Sequence, residues 1–91
     1  MSSYLYTIAG RVQKVGFRMF IYKKALELGI DGYTKNLSDG QVEVLASFCS
    51  PEKQKMFEEA LRKGPAFSKV KEVKKREVKN YAKKGFDILL V

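Results

Sequence analysis

The chain has 91 residues, 45% of them hydrophobic, with a single cysteine and no histidine. That length fits one domain able to build a core of its own. Lone Cys49 excludes an internal disulfide framework and agrees with a reducing compartment, while the missing histidine removes Ser–His and Cys–His nucleophile pairs and every His-bearing zinc site. The formal net charge of +8 attracts phosphates, acidic metabolites, nucleic acid or anionic surfaces without choosing among them. Residues 69–84 hold eight Lys/Arg against two Glu, so this one segment carries +6 of the excess. No apolar run approaches the ~18 residues of a membrane span. The start, MSSYLYTIAG, lacks the basic opening and long apolar run of a secretory leader. A cytoplasmic location is therefore expected.

At the start of the chain, Tyr4, Tyr6 and Ile8 alternate with Leu5, Thr7 and Ala9, which reads as a central strand apolar on both faces. After the segment GRVQKVGFR at positions 10–18, Phe17, Ile21, Ala25 and Leu28 recur at helical spacing. Met19, Phe20 and Tyr22 widen that apolar face, and Gly29 is placed to end the helix. Tyr33 to Leu37 is a short strand, and Ser38-Asp39-Gly40 is the turn that follows it. Val42, Val44, Ala46 and Phe48 alternate with polar and mixed residues as a half-buried strand, with Cys49 read as a small apolar residue near its end.

Ser50-Pro51-Glu52 is a helix start, combining a capping hydroxyl, proline at the first position and an acid in the first turn. Met56, Phe57, Ala60 and Leu61 give this second helix its apolar face, and Arg62-Lys63-Gly64 stops it. Val70 and Val73 have opposite parity, so a strand over 70–78 needs a bulge or a register change. Phe86, Ile88 and Leu90 form a last strand. The order β-α-β-β-α-β with an extra C-terminal strand predicts an α+β, ferredoxin-like sandwich: an antiparallel sheet with two helices on one face. Right-handed crossovers place the first strand in the middle.

The chemistry must come from the junction between the first strand and the first helix. Amides of that loop and of the first helical turn have no partner inside the helix, and the helix dipole adds partial positive charge there. Curled into a nest, such amides suit a phosphate. Arg18, at the first or second helical position, can reach back with two parallel hydrogen bonds, which a lysine cannot offer. The chain has neither G-x-x-x-x-G-K-[ST] nor G-x-G-x-x-G, so neither common nucleotide loop is present.

GRVQKVGFR, followed by Ala25, Leu28-Gly29, Gly32, Asn36 and Asp39-Gly40-Gln41-Val42-Glu43, resembles the signature of the acylphosphatase family. The family pattern runs G-x-V-Q-G-V-x-F-R, A-x-x-L-G, G-W-V-x-N, D-G-x-V-E, and its spacing is kept here without a gap. The signature covers about the first half of the chain; the second half matches in length, helix placement and the closing Phe-x-Ile strand. The resemblance implies one acylphosphatase-like domain over residues 1–91 that hydrolyses carboxyl-phosphate mixed anhydrides to carboxylate and inorganic phosphate, with no metal and no organic cofactor. By that resemblance Arg18 and the amides of Arg11, Val12, Gln13, Lys14 and Val15 hold the phosphoryl oxygens, and Asn36 holds the attacking water.

Three positions depart from the family: Tyr33 stands for tryptophan, Thr34 for valine and Lys14 for glycine. A positive φ at Lys14 would carry a strain on the order of 1–2 kcal/mol, and the expectation is a slower or differently tuned hydrolase. The partners expected are a small acyl phosphate and inorganic phosphate, with no membrane and a monomeric state. The competing readings are an acylphosphatase-like domain whose catalysis has weakened and a basic nucleic-acid-binding module. Against the latter, the central strands YLYTIAG and QVEVLASF lack the aromatic-rich signature of RNA-binding sheets of this fold.

Overall fold

In the computed structural model, which describes residues 2–90, seven elements follow one another. They are β1 (Ser2–Arg11), α1 (Phe17–Leu28), β2 (Asp31–Asn36), β3 (Val42–Phe48), α2 (Pro51–Lys63), β4 (Lys69–Val78) and β5 (Phe86–Leu89). The strands form one sheet in the order β4-β1-β3-β2-β5, with β1 inside it, and the arrangement is the ferredoxin-like α+β sandwich. The first four strands pair antiparallel, whereas β5 lies parallel to β2, so the sheet is mixed rather than purely antiparallel. A strand that arrives from the far edge can add beside β2 in either direction. Here Gly32 N–H donates to the carbonyl of Gly85 and Asp31 accepts from Gly85 N–H, fastening the parallel start.

Core residues come from one face of the sheet. Tyr6 and Ile8 stand opposite Val44 and Val42, and all four are buried. Their neighbours on the other face, Leu5, Thr7 and Ala9, are half-buried, so β1 is fully covered on one side only. On α1, Phe17, Ile21, Ala25 and Leu28 face inward, and burial of Phe17, Ile21 and Leu28 contributes about 1.5–3 kcal/mol each. Met19 departs from the expected apolar face and is 48% exposed, as is Met56 on α2 at 52%. Phe57, Ala60 and Leu61 bury as expected. Aromatic rings tie the layers together: Phe57 lies 5.7 Å from Phe48 and 6.3 Å from Phe86 between centroids, with Tyr22 next to Phe86 at 6.5 Å.

Local signals explain the element ends. Gly29 is left-handed, and Ile30 N–H to Ala25 with Gly29 N–H to Leu26 closes α1 in a Schellman arrangement. Ser50 Oγ accepts from Lys53 N–H at 3.2 Å ahead of Pro51. Along β4 the register against β1 shifts between Ala9 and Gly10, with Glu72 opposite Ala9 and Val70 opposite Gly10. Lys71 is the extra residue of that bulge, and the shift lets Val70 and Val73 both pack on the core. Gly10 is needed there, because a Cβ would collide with the Lys69 carbonyl. Three outer positions differ from the sequence expectation. β2 begins at Asp31 and ends at Asn36, Leu90 lies beyond β5 and is exposed, and Cys49 is exposed just past β3.

Candidate active site

β1, β2 and β5 all run in one direction, so their C-terminal ends reach the same pole of the sheet. The loop 12–16 leaves β1 there and enters α1, aiming the helix N-terminus at the ends of β2 and β5. Two residues of this loop are left-handed, Lys14 at φ 61° and Gly16 at φ 77°, the latter as the N-cap of α1. Such turns curl a chain so that successive amides converge. Among the described residues, none of the turn and loop backbone hydrogen bonds is donated by residues 13–16. The Gly16 carbonyl accepts from Phe20 N–H at 3.0 Å, which leaves the first-turn amides of α1 pointing outward.

A cleft of about 270 Å³ opens at this point. Its polar lining is Lys14, Gly16, Arg18 and Asn36, and its apolar walls are Val12, Phe17, Met19 and Ile88. Arg18, at the second position of α1, is half-buried, and a neighbouring depression shares it with Asn36, Leu37 and Ser38. Asn36 ends β2 on the same face as buried Thr34, so it looks toward α1. Its Oδ1 is buried without a hydrogen-bond partner among the described residues, as is Thr34 Oγ1. A carbonyl oxygen left in that condition costs about 1–3 kcal/mol.

Of the expected site residues, the fold brings Val12, Lys14, Arg18 and Asn36 to this cleft. Arg11 is not among its lining. It pairs with Lys69 at the end of β1 and lines a separate open groove with Phe67, Ser68, Lys69 and Lys71. Val15 packs partly against the core. Gln13 has a function the sequence did not disclose: its Nε2 donates to the carbonyls of Leu37 and Gln41, both at 2.8 Å. This pins the loop to the β2–β3 turn, one residue from Asn36. No local pattern could reveal the tether, because it joins segments 24 and 28 residues apart. The turn is itself stiffened by Asp39, whose carboxylate accepts from the backbone and side chain of Gln41 and is thereby held below the usual carboxylate range.

The lining of both the cleft and the depression beside it contains no carboxylate. Among the described residues no three of His, Cys, Asp or Glu gather as a metal-holding group, and no helix is long and apolar enough to cross a membrane. Half-buried Arg18, the loop residues Lys14 and Gly16 and the start of α1 line one cleft, and that combination suits a phosphoryl group.

Comparison with known proteins agrees with this geometry. The family model described as Acylphosphatase matches residues 4–88. An acylphosphatase of Methanocella arvoryzae is 42% identical over 81 residues, covering 89% of this chain and 91% of the relative. One of Thermus thermophilus is 43% identical over the same length and shares of the two chains. The crystal structure of acylphosphatase from Bacillus subtilis superposes with a TM-score of 0.92 at 35% identity, covering 99% of this chain and all of that one. With a family model matching nearly its whole length and relatives above 40% identity along most of both chains, the chain belongs to the acylphosphatase family.

Proposed function

We propose that this protein hydrolyses acyl phosphates to a carboxylate and inorganic phosphate, with the phosphoryl group held by the 12–16 loop and Arg18 and the water oriented by Asn36. The observation that carries the reading is the cleft that Arg18 and Asn36 share with Lys14 and Gly16 of the loop. A phosphoryl group in transfer spreads charge over three oxygens, so catalysis is mainly positioning and electrostatic stabilisation. The loop amides and the Arg18 guanidinium meet those oxygens. The side-chain amide of Asn36 holds a water and sets its oxygen in line with the bond to be broken.

The water oxygen bonds to phosphorus as the bond from phosphorus to the acyl oxygen breaks. That electron pair departs with the carboxylate, and the water's proton goes to an oxygen of the phosphate itself. A carboxylate is a good leaving group, so the reaction does not require a strong base, and Asn36 cannot be one. Gln13 acts as a positioning residue, since it fixes the distance between the loop and the end of β2.

Phosphate release from benzoyl phosphate by the wild type, Arg18→Ala and Asn36→Ala tests this assignment. The expected result is a raised KM for Arg18→Ala and, for Asn36→Ala, a kcat lowered about 10²–10³-fold at little cost in KM. Equal rates in all three would overturn it.

The other reading, a nucleic-acid module, finds less support. The helix-free face of the sheet carries Tyr33 as its one strand aromatic among the described residues, and Tyr33 is engaged with Glu43 at 2.8 Å.

A further inference from the structure

Lys14 is one of two non-glycine residues with positive φ among the described residues; the other, Asn80, is of a type that tolerates that region. Lysine has no such local excuse. A strained backbone residue beside a functional cleft calls for a reason in its side chain. That side chain lines the cleft with Arg18 and Asn36, and no carboxylate among the described residues forms an ion pair with it. The phosphoryl oxygens are already met by loop amides and a guanidinium. Lys14 is exposed where it lines the cleft, so its ammonium is free to meet the part of a substrate that extends beyond the phosphoryl group. Met19 and Ile88 line the same cleft, and no acid does.

From this we infer that Lys14 is a specificity residue selecting acyl phosphates whose acyl group bears its own negative charge. The inference rests on the acylphosphatase reading. The ammonium, on a flexible four-carbon stem, pairs with a carboxylate or similar anion on the acyl group. It takes no part in bond breaking. Because the pair is solvent-exposed, its effect is a modest preference that added salt erodes.

The test compares kcat/KM for benzoyl phosphate and 4-carboxybenzoyl phosphate, which differ by one carboxylate, in the wild type, Lys14→Gln, Lys14→Gly and Lys14→Arg. The substituent's electronic effect on the leaving group is common to all four proteins, so the change in the substrate ratio is what is read. At low ionic strength that ratio should be about three- to fivefold higher in the wild type than in either neutral variant. Lys14→Arg should retain it, and about 0.5 M salt should remove most of the difference. Lys14→Gln keeps a side chain on the left-handed backbone and Lys14→Gly relieves it, so a common loss in both assigns the preference to charge. An unchanged ratio in the two neutral variants would overturn the inference and leave the hydrolase reading intact. Failure of the wild type to release phosphate from either compound would overturn both.

Discussion

Two polar clusters of this molecule treat their hydrogen bonds in opposite ways. Beside α2, Glu58 gathers Tyr6 Oη at 2.6 Å, Lys75 Nζ at 2.8 Å and Gln54 Nε2 at 3.1 Å, with Arg62 at 3.9 Å. Lys75 also stacks over the Tyr4 ring at 4.6 Å from its centroid. Burial alone would raise the Glu58 pKa, but the hydrogen bonds from Lys75, Tyr6 and Gln54 and the charge of Lys75 together hold it below the ordinary carboxylate range. At the cleft, by contrast, the Asn36 oxygen, the 13–16 amides and the Arg18 and Lys14 cations are left without such closure. A satisfied cluster fastens a helix to the sheet. An unsatisfied one accepts a cost in stability and gains a place for a charged ligand.

The contrast is sharpest in activity. Asn36→Ala should lose about 10²–10³-fold in kcat while Tm holds or rises, because the variant removes a buried oxygen that had no partner. A fall in Tm with activity kept would make Asn36 a structural residue and erase the distinction. Glu58→Ala should do the reverse. Leaving Lys75 and Tyr6 without their acceptor should cost about 1–3 kcal/mol, which lowers Tm by roughly 4–20 °C in a domain of this size, with kcat retained. Since the folded-state pKa of Glu58 is depressed, its stabilisation is present above the unfolded value of about 4.3 and is lost as pH falls through the lower folded value. The wild type should therefore lose stability on acidification more steeply than Glu58→Gln, as followed by circular dichroism.

Lys14→Gly probes the strain on the site side. Glycine removes a left-handed penalty of about 1–2 kcal/mol and gives back part of it as chain entropy, so Tm should rise by a few degrees. A lower Tm would mean that the Lys14 side chain makes contacts that outweigh its backbone conformation. The smallest effect belongs to the helix-free face. Burial, and donation to Glu43, push the Tyr33 hydroxyl up to about 12 from its usual value near 10. A raised folded-state pKa means that its contribution is full below about pH 10 and is lost as pH climbs toward 12. Between pH 9 and 11, thermal melts of Tyr33→Phe should fall less steeply than those of the wild type, by a degree or two; parallel curves would show that this hydroxyl is not linked to folding.

Much of the frame was legible in the residues. Helical spacing from Phe17 to Leu28 placed α1, and the clashing parity of Val70 and Val73 announced the bulge that the sheet makes at Gly10. The loop motif with Asn36 at its correct distance pointed to the cleft. Illegible were the features that depend on which distant segments meet. The parallel direction of β5 depends on the path of the connection after β4, and the Gln13 tether on the β2–β3 turn folding back over the loop. Met19 and Met56 misled for a different reason: an apolar side chain at the border of a helical stripe says nothing about whether a neighbouring element extends far enough to cover it.

The central claim, that the loop after β1 is an anion cradle, is tested most directly by titrating ¹⁵N-labelled protein with inorganic phosphate. The account predicts saturable shifts that are largest at the amides of residues 13–17 and at the Arg18 guanidinium, with β4 nearly unmoved. Shifts centred on Lys69, Lys71 and the rest of β4, with the loop amides unchanged, would contradict it.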